Sequence, residues 1–440
     1  MHIPVNSFPP EVLSRILEHR DCEQDLVSAT HVCQYWRSAL TSSPSLWSNF
    51  RFWSSRNADR TVAYLHRSKS VTIDLEINLR SSEELEVLRH FVPHMSRARS
   101  FIIRGPLGVD AAFSLLLCKP VPSLDRLEVN GREGFVSCLG NFLGQQAPSL
   151  RSAVFTGIFP TLESPLPLPN LTELSLHLPP GTGPFRMSLV SQFLPGCPRL
   201  QKFSIAISGE ILQDIGPDPV ISSESLVELD YACVTPDRIL PYLDLPHLKR
   251  LRVSSYLPPG QMRGVADFLP HGGSILAGVT SMSYYSNFRS ERAELSGEDI
   301  HASFDGIRLF SDEESIPFRQ IEDLNVDAYE AGDFPIRFFK NLRTLRMVPG
   351  HPNFTRGFLQ LLSPRAEVPC GYLREIEYTC RSSPSIYIEP LISLLAERER
   401  AGHRVELVRT LSGQELDEDL GDRLRALVGE LQVTISEGRA

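Results

Sequence analysis

Long apolar runs are scarce in this sequence of 440 residues. None approaches the ~20 residues needed to cross a bilayer. The nearest cases, Phe113–Cys118 and Leu391–Ala396, are short and read as buried core. The N-terminus, MHIPVNSFPPEV, lacks a basic stretch followed by an apolar one, so no signal peptide is expected. Basic residues are also in deficit, with 44 Lys and Arg against 53 Asp and Glu and a net charge of −9. A nucleic-acid binder would carry a basic patch or stripe, so the balance points to protein partners and to neither nucleic acid nor membrane. The 8 cysteines are scattered without a close pair, as expected of reduced thiols in the cytoplasm or nucleus. Asn170-Leu171-Thr172 and Asn353-Phe354-Thr355 match the glycosylation sequon but carry no meaning there.

Motifs for catalysis or cofactor binding are missing too. His271-Gly272-Gly273-Ser274 is similar to an oxyanion loop, yet a nucleophile elbow needs Gly-x-Ser-x-Gly and position 276 is Leu276. Gly181-Thr182-Gly183 has no third glycine, and Pro184 withholds the backbone donor that a phosphate cradle uses. His90 and His94 stand four apart, but no glutamate follows His90 and Pro93 disturbs the helix. The expectation is therefore no enzyme, no cofactor and no metal.

The first fifty residues are more informative. Pro9 and Pro10 suit a helix start, where the first turn has no use for their missing N–H groups. Glu11 in that turn suits the positive end of the helix dipole. Val12, Leu13, Ile16 and Leu17 then form one apolar stripe at helical spacing. A polar break follows at residues 20–24, and a second helix carries Leu26, Val27 and Ala29. It leads to a third, where Ala29, Cys33, Trp36 and Leu40 share a face beside Val32 and Ala39. Pro44 ends the pattern, and Leu46 and Trp47 resume the apolar sequence. Three short helices bury too little to stand alone. So many large apolar residues in so small a unit imply that part of the surface awaits a partner.

FPPEVLSRIL, DLVSATHVCQYWRSAL and SPSLW, in that order, resemble the F-box, with Phe8 where the family usually has leucine. The resemblance implies binding to a Skp-type adaptor, and through it to a cullin. Carried over position by position, it implies adaptor-binding or supporting roles for Phe8, Pro9, Leu13, Ile16, Leu17, Leu26, Val32, Cys33, Trp36, Leu46 and Trp47. For Val32 and Trp36, internal packing and adaptor contact are equally open.

Beyond about Leu65 apolar residues recur at i, i+3 and i+5. The triads run Ala98-Phe101-Ile103, Leu124-Leu127-Val129, Leu150-Ala153-Phe155, Leu171-Leu174-Leu176, Leu200-Phe203-Ile205, Leu226-Leu229-Tyr231 and Leu248-Leu251-Val253. Ile321-Leu324-Val326, Leu342-Leu345-Met347 and Leu373-Ile376-Tyr378 follow, and Val71-Ile73-Leu75 is read as the first strand. Positions i+3 and i+5 share one face of a strand, and the leading residue turns in from the loop before it. Leading positions 124, 150, 171, 200, 226 and 248 differ by 26, 21, 29, 26 and 22, the period of leucine-rich repeats. Stretches such as Val190–Leu194 and Val265–Leu269 would supply the opposite wall. The resemblance to leucine-rich repeats is looser than that to the F-box, because the asparagine ladder at i+8 is missing.

The expected fold is thus α/β: a small three-helix F-box followed by an irregular leucine-rich-repeat-like solenoid with a parallel sheet. Its expected parts are 1–50 (F-box), 51–64 (connecting helix or linker), 65–410 (solenoid) and 411–440 (helical cap). Within the solenoid, residues 286–317 are a charged insertion or spacer, with Asp305-Gly306 read as a hairpin turn between Ile300–Phe304 and Ile307–Phe310. Near the end, Ile388–Arg400 and Gln414–Val428 read as helices around a strand-like Val405–Val408. The whole resembles the F-box proteins expanded in fungi. The implied function is substrate recognition in a Skp–cullin–F-box ubiquitin ligase, with a non-catalytic scaffold as the alternative.

Overall fold

A computed structural model describes residues 8–18, 23–52, 58–79, 84, 89–105, 118–131, 143, 147–157, 168–180, 185–209, 211–212, 221–233, 242–255, 276, 279–286, 291–298, 301–305, 318–328, 339–349, 356, 358–360, 362–363, 370–380, 384–412 and 416–435. The fold is mixed α/β, with helices first and a large share of strand after them. The chain divides into two compact units, Met1–Gly216 and Pro217–Ala440.

The first unit begins with α1 (Pro10–Glu18), α2 (Glu23–Thr30) and α3 (Gln34–Thr41), then a single 3-10 turn at Pro44–Trp47. Among the described residues seven strands of the main sheet follow: β1 (Asn49–Phe52), β2 (Ile73–Asn78), β3 (Ala98–Gly105), β4 (Arg126–Gly131), β5 (Ser152–Thr156), β6 (Glu173–Leu178) and β7 (Lys202–Ile207). Each pairs parallel with the next in chain order. Helix α4 (Ala58–Arg67) joins β1 to β2, and α5 (Met187–Gly196) precedes β7 with Val190 and Leu194 buried.

The register explains why the triads recur. Phe101, Leu127, Ala153, Leu174 and Phe203 lie side by side, and so do Ile103, Val129, Phe155, Leu176 and Ile205. All ten are buried. A strand with one apolar face cannot bury it alone, so each unit depends on its neighbours. The leading residue enters by one tight turn: the N–H of Leu124, Leu150, Leu171 and Leu200 donates to the carbonyl three residues back, at Val121, Ala147, Leu168 and Cys197. Those residues at i−3 are themselves buried. They are a fourth core position that the triad pattern did not include.

The second unit follows the same rule. Its strands are β8 (Glu228–Cys233), β9 (Arg250–Ser255), β10 (Val279–Ser286), β11 (Glu291–Gly297), β12 (His301–Asp305), β13 (Asp323–Ala328), β14 (Thr344–Pro349), β15 (Glu375–Cys380), β16 (Leu407–Ser412) and β17 (Glu430–Ile435). Helix α6 (Pro384–Arg400) precedes β16 and α7 (Glu418–Leu427) precedes β17. Leu324, Leu345, Ile376 and Val408 form one buried column, and Val326, Met347, Tyr378 and Thr410 the next. The tight turn recurs where Leu248, Ile321, Leu342 and Leu373 donate to Leu245, Phe318, Phe339 and Cys370. Cys370 takes a left-handed φ of 68°, and buried Arg398 of α6 donates to its carbonyl at 2.9 Å.

Four expectations are corrected. The array starts at β1, not at Val71-Ile73-Leu75, because Asn49–Phe52 pairs with Asp74–Ile77; the boundary placed at residue 50 therefore falls inside a strand. The sheet is not wholly parallel, since β11 runs antiparallel between β10 and β12. This three-strand meander overlaps the expected insertion; Asp305 is the last residue of β12, and the rest of the expected hairpin, from Gly306 on, lies outside the described residues. Ala302 and Phe304 align with Leu251 and Val253, which draws that strand onto β9 and orders the spatial sequence β9-β12-β11-β10-β13. Finally, the cap over 411–440 is not only helical. The alternation Leu431, Val433, Ile435 makes β17, which pairs parallel with β16. Ile307–Phe310 and Val265–Leu269 lie outside the described residues.

Burying each triad at 0–2% exposure in the central strands leaves no room for truncation. Leu127→Ala is expected to cost about 2–5 kcal/mol, from lost transfer energy plus a cavity. The outward Asn130→Ala on the same strand should change stability by less than about 0.5 kcal/mol. Urea melts of the two variants check the contrast.

Candidate functional site

Helix α1 forms because Pro9 and Pro10 open it: the N–H groups of Val12 and Leu13 both donate to the Pro9 carbonyl, at 3.0 and 3.2 Å. Its apolar stripe is wider than its core contact. Leu13 turns inward and is buried, whereas Val12 and Ile16 are 40% and 54% exposed. In α3 the inward residues are Ala39 and Leu40. Ahead of it, Val32 is 62% exposed, and Tyr35 in its first turn is 37% exposed. Tyr35 also donates its hydroxyl to the Phe8 carbonyl at 2.6 Å, tying the start of α1 to α3. Below them, Ser43 Oγ donates to the Ala39 carbonyl at 2.9 Å and lies 2.8 Å from Ser14 Oγ. The domain therefore holds itself together on one side and presents Val12, Ile16, Val32 and Tyr35 to solvent.

The residues named from sequence fall into three groups. Leu13, Leu26, Leu46 and Trp47 are buried, so they support the surface and do not form it. Pro9, Ile16 and Val32 are exposed. Phe8, Leu17, Cys33 and Trp36 are partly covered. Val32 thus leaves the internal-packing alternative behind. Trp36 stays between the two, and its indole N–H is buried without an acceptor. Val12 and Tyr35, exposed as well, were not among the residues named from sequence. Val12 was legible in the stripe, but Tyr35 carries no signal beyond being aromatic beside Trp36.

Trp47 anchors this domain to the sheet. It is fully buried, and its Nε1 donates to the Leu40 carbonyl at 2.8 Å. Tyr64 of α4 packs edge-on against it, centroids 4.8 Å apart at 65°, and the Arg67 guanidinium lies 4.5 Å from its ring centroid. Just beyond, Asp74 N–H donates to the Ser48 carbonyl at 2.8 Å. Arg97 closes the joint by donating to the Leu65 and Val71 carbonyls and to Ser68 Oγ. The His94 Nδ1 sits 3.3 Å from Arg97, so this ring nitrogen accepts and the imidazole is neutral. Burial, then Arg97, then His66 hold the His94 pKa below its ordinary 6.5.

No constellation for catalysis emerges among the described residues, and none of them form a group of three or more metal-ligating side chains. In the second unit a groove of about 900 Å³ lies along α6, lined by Arg356, Leu359, Ser363, Ile386, Glu389 and Glu397. Its carboxylates are occupied: Arg423 grips Glu389 at 2.6 and 2.9 Å, and Ser363 donates to Glu397. The hydrogen bond from Arg423 holds Glu389 below the usual carboxylate range. His271 to Ser274 lie outside the described residues.

The F-box-like family matches residues 5–53, a stretch that contains Val12, Ile16, Val32 and Tyr35. A search of curated proteins finds no match to the chain. F-box domains generally bind Skp-type adaptors, and the matched span is the one that carries the exposed side chains described above.

The two tryptophans should differ on substitution. Trp47→Phe removes the bond to Leu40 and part of the Tyr64 and Arg67 contacts and is expected to cost about 2 kcal/mol or more. Trp36→Phe removes a donor that has no acceptor and should cost less than about 1 kcal/mol. Chemical denaturation separates them. His94 gives a pH signature as well. Its folded pKa lies below its unfolded one, so the folded state binds fewer protons, and stability present at neutral pH falls as pH drops through 6.5. The acid-side fall in melting temperature should be smaller in His94→Gln, with the outward Asn130→Ala as a control that removes no titratable group.

Proposed function

We propose that this chain is the substrate-recognition subunit of a Skp–cullin–F-box type ubiquitin ligase. The F-box-like domain takes the adaptor on Val12, Ile16, Val32 and Tyr35, over the support of Leu13, Leu26, Leu46 and Trp47. The observation that carries this reading is the set of four large apolar side chains left in solvent within the matched span. A domain that small gains nothing from exposing them unless a partner covers them.

The parallel array beyond is read as an irregular leucine-rich-repeat-like solenoid that holds the target. Its support is the ladder of buried triads in register, eight of them entered by the same turn. Stacked repeats offer an extended outer face of strand, a common binding surface for such arrays. No catalytic step is assigned to the chain. It works by proximity, keeping a target near an enzyme carried elsewhere in the complex. Such a role belongs in the cytoplasm or nucleus, where the adaptor and cullin meet.

The joint at Trp47 supports this division of labour. A bridge between adaptor and target is effective when its two ends keep a fixed spacing, and the contacts of Tyr64, Arg67 and Arg97 tie the F-box-like domain to the first strands. A scaffold outside ubiquitination would need the adaptor contact alone.

Co-purification with a Skp-type adaptor tests the first half. Ile16→Asp and Val32→Asp are expected to weaken capture by about tenfold or more each, since a charge is placed in an apolar contact. Both sit in solvent in the free chain, so their melting temperatures should stay near wild type. Unchanged capture by both variants would sink the assignment. Adaptor-dependent purification with the proteasome inhibited tests the second half. A protein that accumulates on the chain only under inhibition supports a ligase role, and equal recovery without inhibition favours the scaffold.

A further inference from the structure

The last described strand of the second unit differs from the strand it pairs with. In β16 the inward residues Val408, Thr410 and Ser412 are all buried. In β17 the residues aligned with them are Leu431, Val433 and Ile435. They are more apolar, yet Leu431 is partly exposed, Val433 is 40% exposed and Ile435 is 49% exposed. The apolar column of the core thus continues onto β17 and ends in solvent. Beyond β17 no strand pairs with it among the described residues.

The backbone of β17 is oriented as well. Glu430 N–H donates to the Glu406 carbonyl at 2.7 Å, so the N–H groups of even-numbered residues point at β16. With a period of two, the N–H and C=O groups of residues 431, 433 and 435 point out at the free edge. Natural edges are usually blunted by lysine, proline or a bulge. Here Leu431–Ile435 contains none of these and no charge, and the flanking Glu430 is occupied by Gln432 at 2.7 Å.

The pattern is also self-complementary. An antiparallel two-fold pairing centred on Val433 sets Val433 against the partner's Val433, Leu431 against the partner's Ile435, and Gln432 against the partner's Thr434. Apolar meets apolar and polar meets polar. The outward-pointing residues 431, 433 and 435 are also the ones that such a register makes into hydrogen-bonded pairs. Glu430 falls outside the overlap and meets no second Glu430. We propose that β17 is a self-pairing edge on which a second copy of this chain docks its own β17 antiparallel, across a two-fold axis at Val433. This contact lies in the second unit and does not rest on the adaptor reading.

Light scattering of the full chain across the micromolar range tests it. The expected mass rises from one chain to two with concentration and stops there. Val433→Lys is expected to weaken self-association about tenfold or more, by setting two like charges at the axis. Val433→Pro should do the same by removing an outward donor while leaving the bonds to β16 intact. Cross-linking gives a readout that does not depend on disruption. Hydrogen-bonded antiparallel pairs hold their Cα atoms ~5.5 Å apart, within disulfide reach. Under mild oxidation Val433→Cys should form a covalent dimer, while wild type and Gln432→Cys should not. A one-chain mass throughout with no covalent dimer would overturn the proposal. So would a dimer untouched by Val433→Lys, or open-ended assemblies, which would mean head-to-tail pairing with the β1 edge.

Discussion

One short hydrogen bond sets the geometry of this chain. Before strand after strand, the N–H of a leading Leu or Ile donates to the carbonyl three residues back. The turn brings two apolar residues into the core, and the strand leaves it already in register. The next N–H then donates to the equivalent position of the preceding unit, as Arg151 does to Asp125 and Arg374 to Arg343. Local turn and long-range ladder are therefore one device. Each repeat fixes where its neighbour begins, which is why steps of 21 to 29 residues still give aligned columns. The loops between absorb the differences in length.

That device does not need an asparagine ladder. In its place, Asn170 and Asn341, one residue before a leading position, donate to the carbonyls of Pro148 and Arg319 in the preceding turn. Two asparagines so placed bond neighbouring turns at equivalent positions, 2.6 and 2.7 Å from their acceptors. Asn170 was first met as part of a glycosylation sequon. Its amide is engaged in structure, on the one side with Pro148 and on the other with Arg199. What differs between successive strands is the spacing along the chain and the meander of β10 to β12, not the turn.

How much of this was legible depended on whether one residue type suffices at a position. The triads could be read because leucine, isoleucine, valine or an aromatic fills them almost without exception. Position i−3 was missed because Val121, Ala147, Leu168, Cys197 and Phe318 share burial but not identity. The strand at Val279-Met282-Tyr284 fits the template yet went unread, and Thr410 hid another behind a hydroxyl. In the F-box-like domain the apolar positions were legible, and the direction each one faces was not. A helical stripe such as Val12, Leu13, Ile16 and Leu17 spans more arc than one core contact uses. Periodicity alone cannot say that Leu13 faces inward and Ile16 outward, because that depends on where α3 lies. Trp47 shows the same limit. Its place at the end of the motif marks it as important, while its role as an internal anchor depends on Tyr64 and Arg67, which lie beyond the motif.

The outer face of the first strands carries a further consequence for recognition. Arg104 donates to both Glu76 and Glu128 at 2.7 Å, Arg51 lies 3.4 Å from Glu76, and Arg126 reaches Glu128 at 3.1 Å. Partly exposed pairs of this kind add little to stability. Their effect is on what the surface offers, because each carboxylate already has its cation. A charged partner docking there would have to exchange these pairs for its own at little net gain. Further along, Val154, Ser175 and Ser204 occupy the column of Glu128 and carry no charge to exchange. The same backbone ladder thus presents stretches of different chemistry, one of paired charges and one without charge.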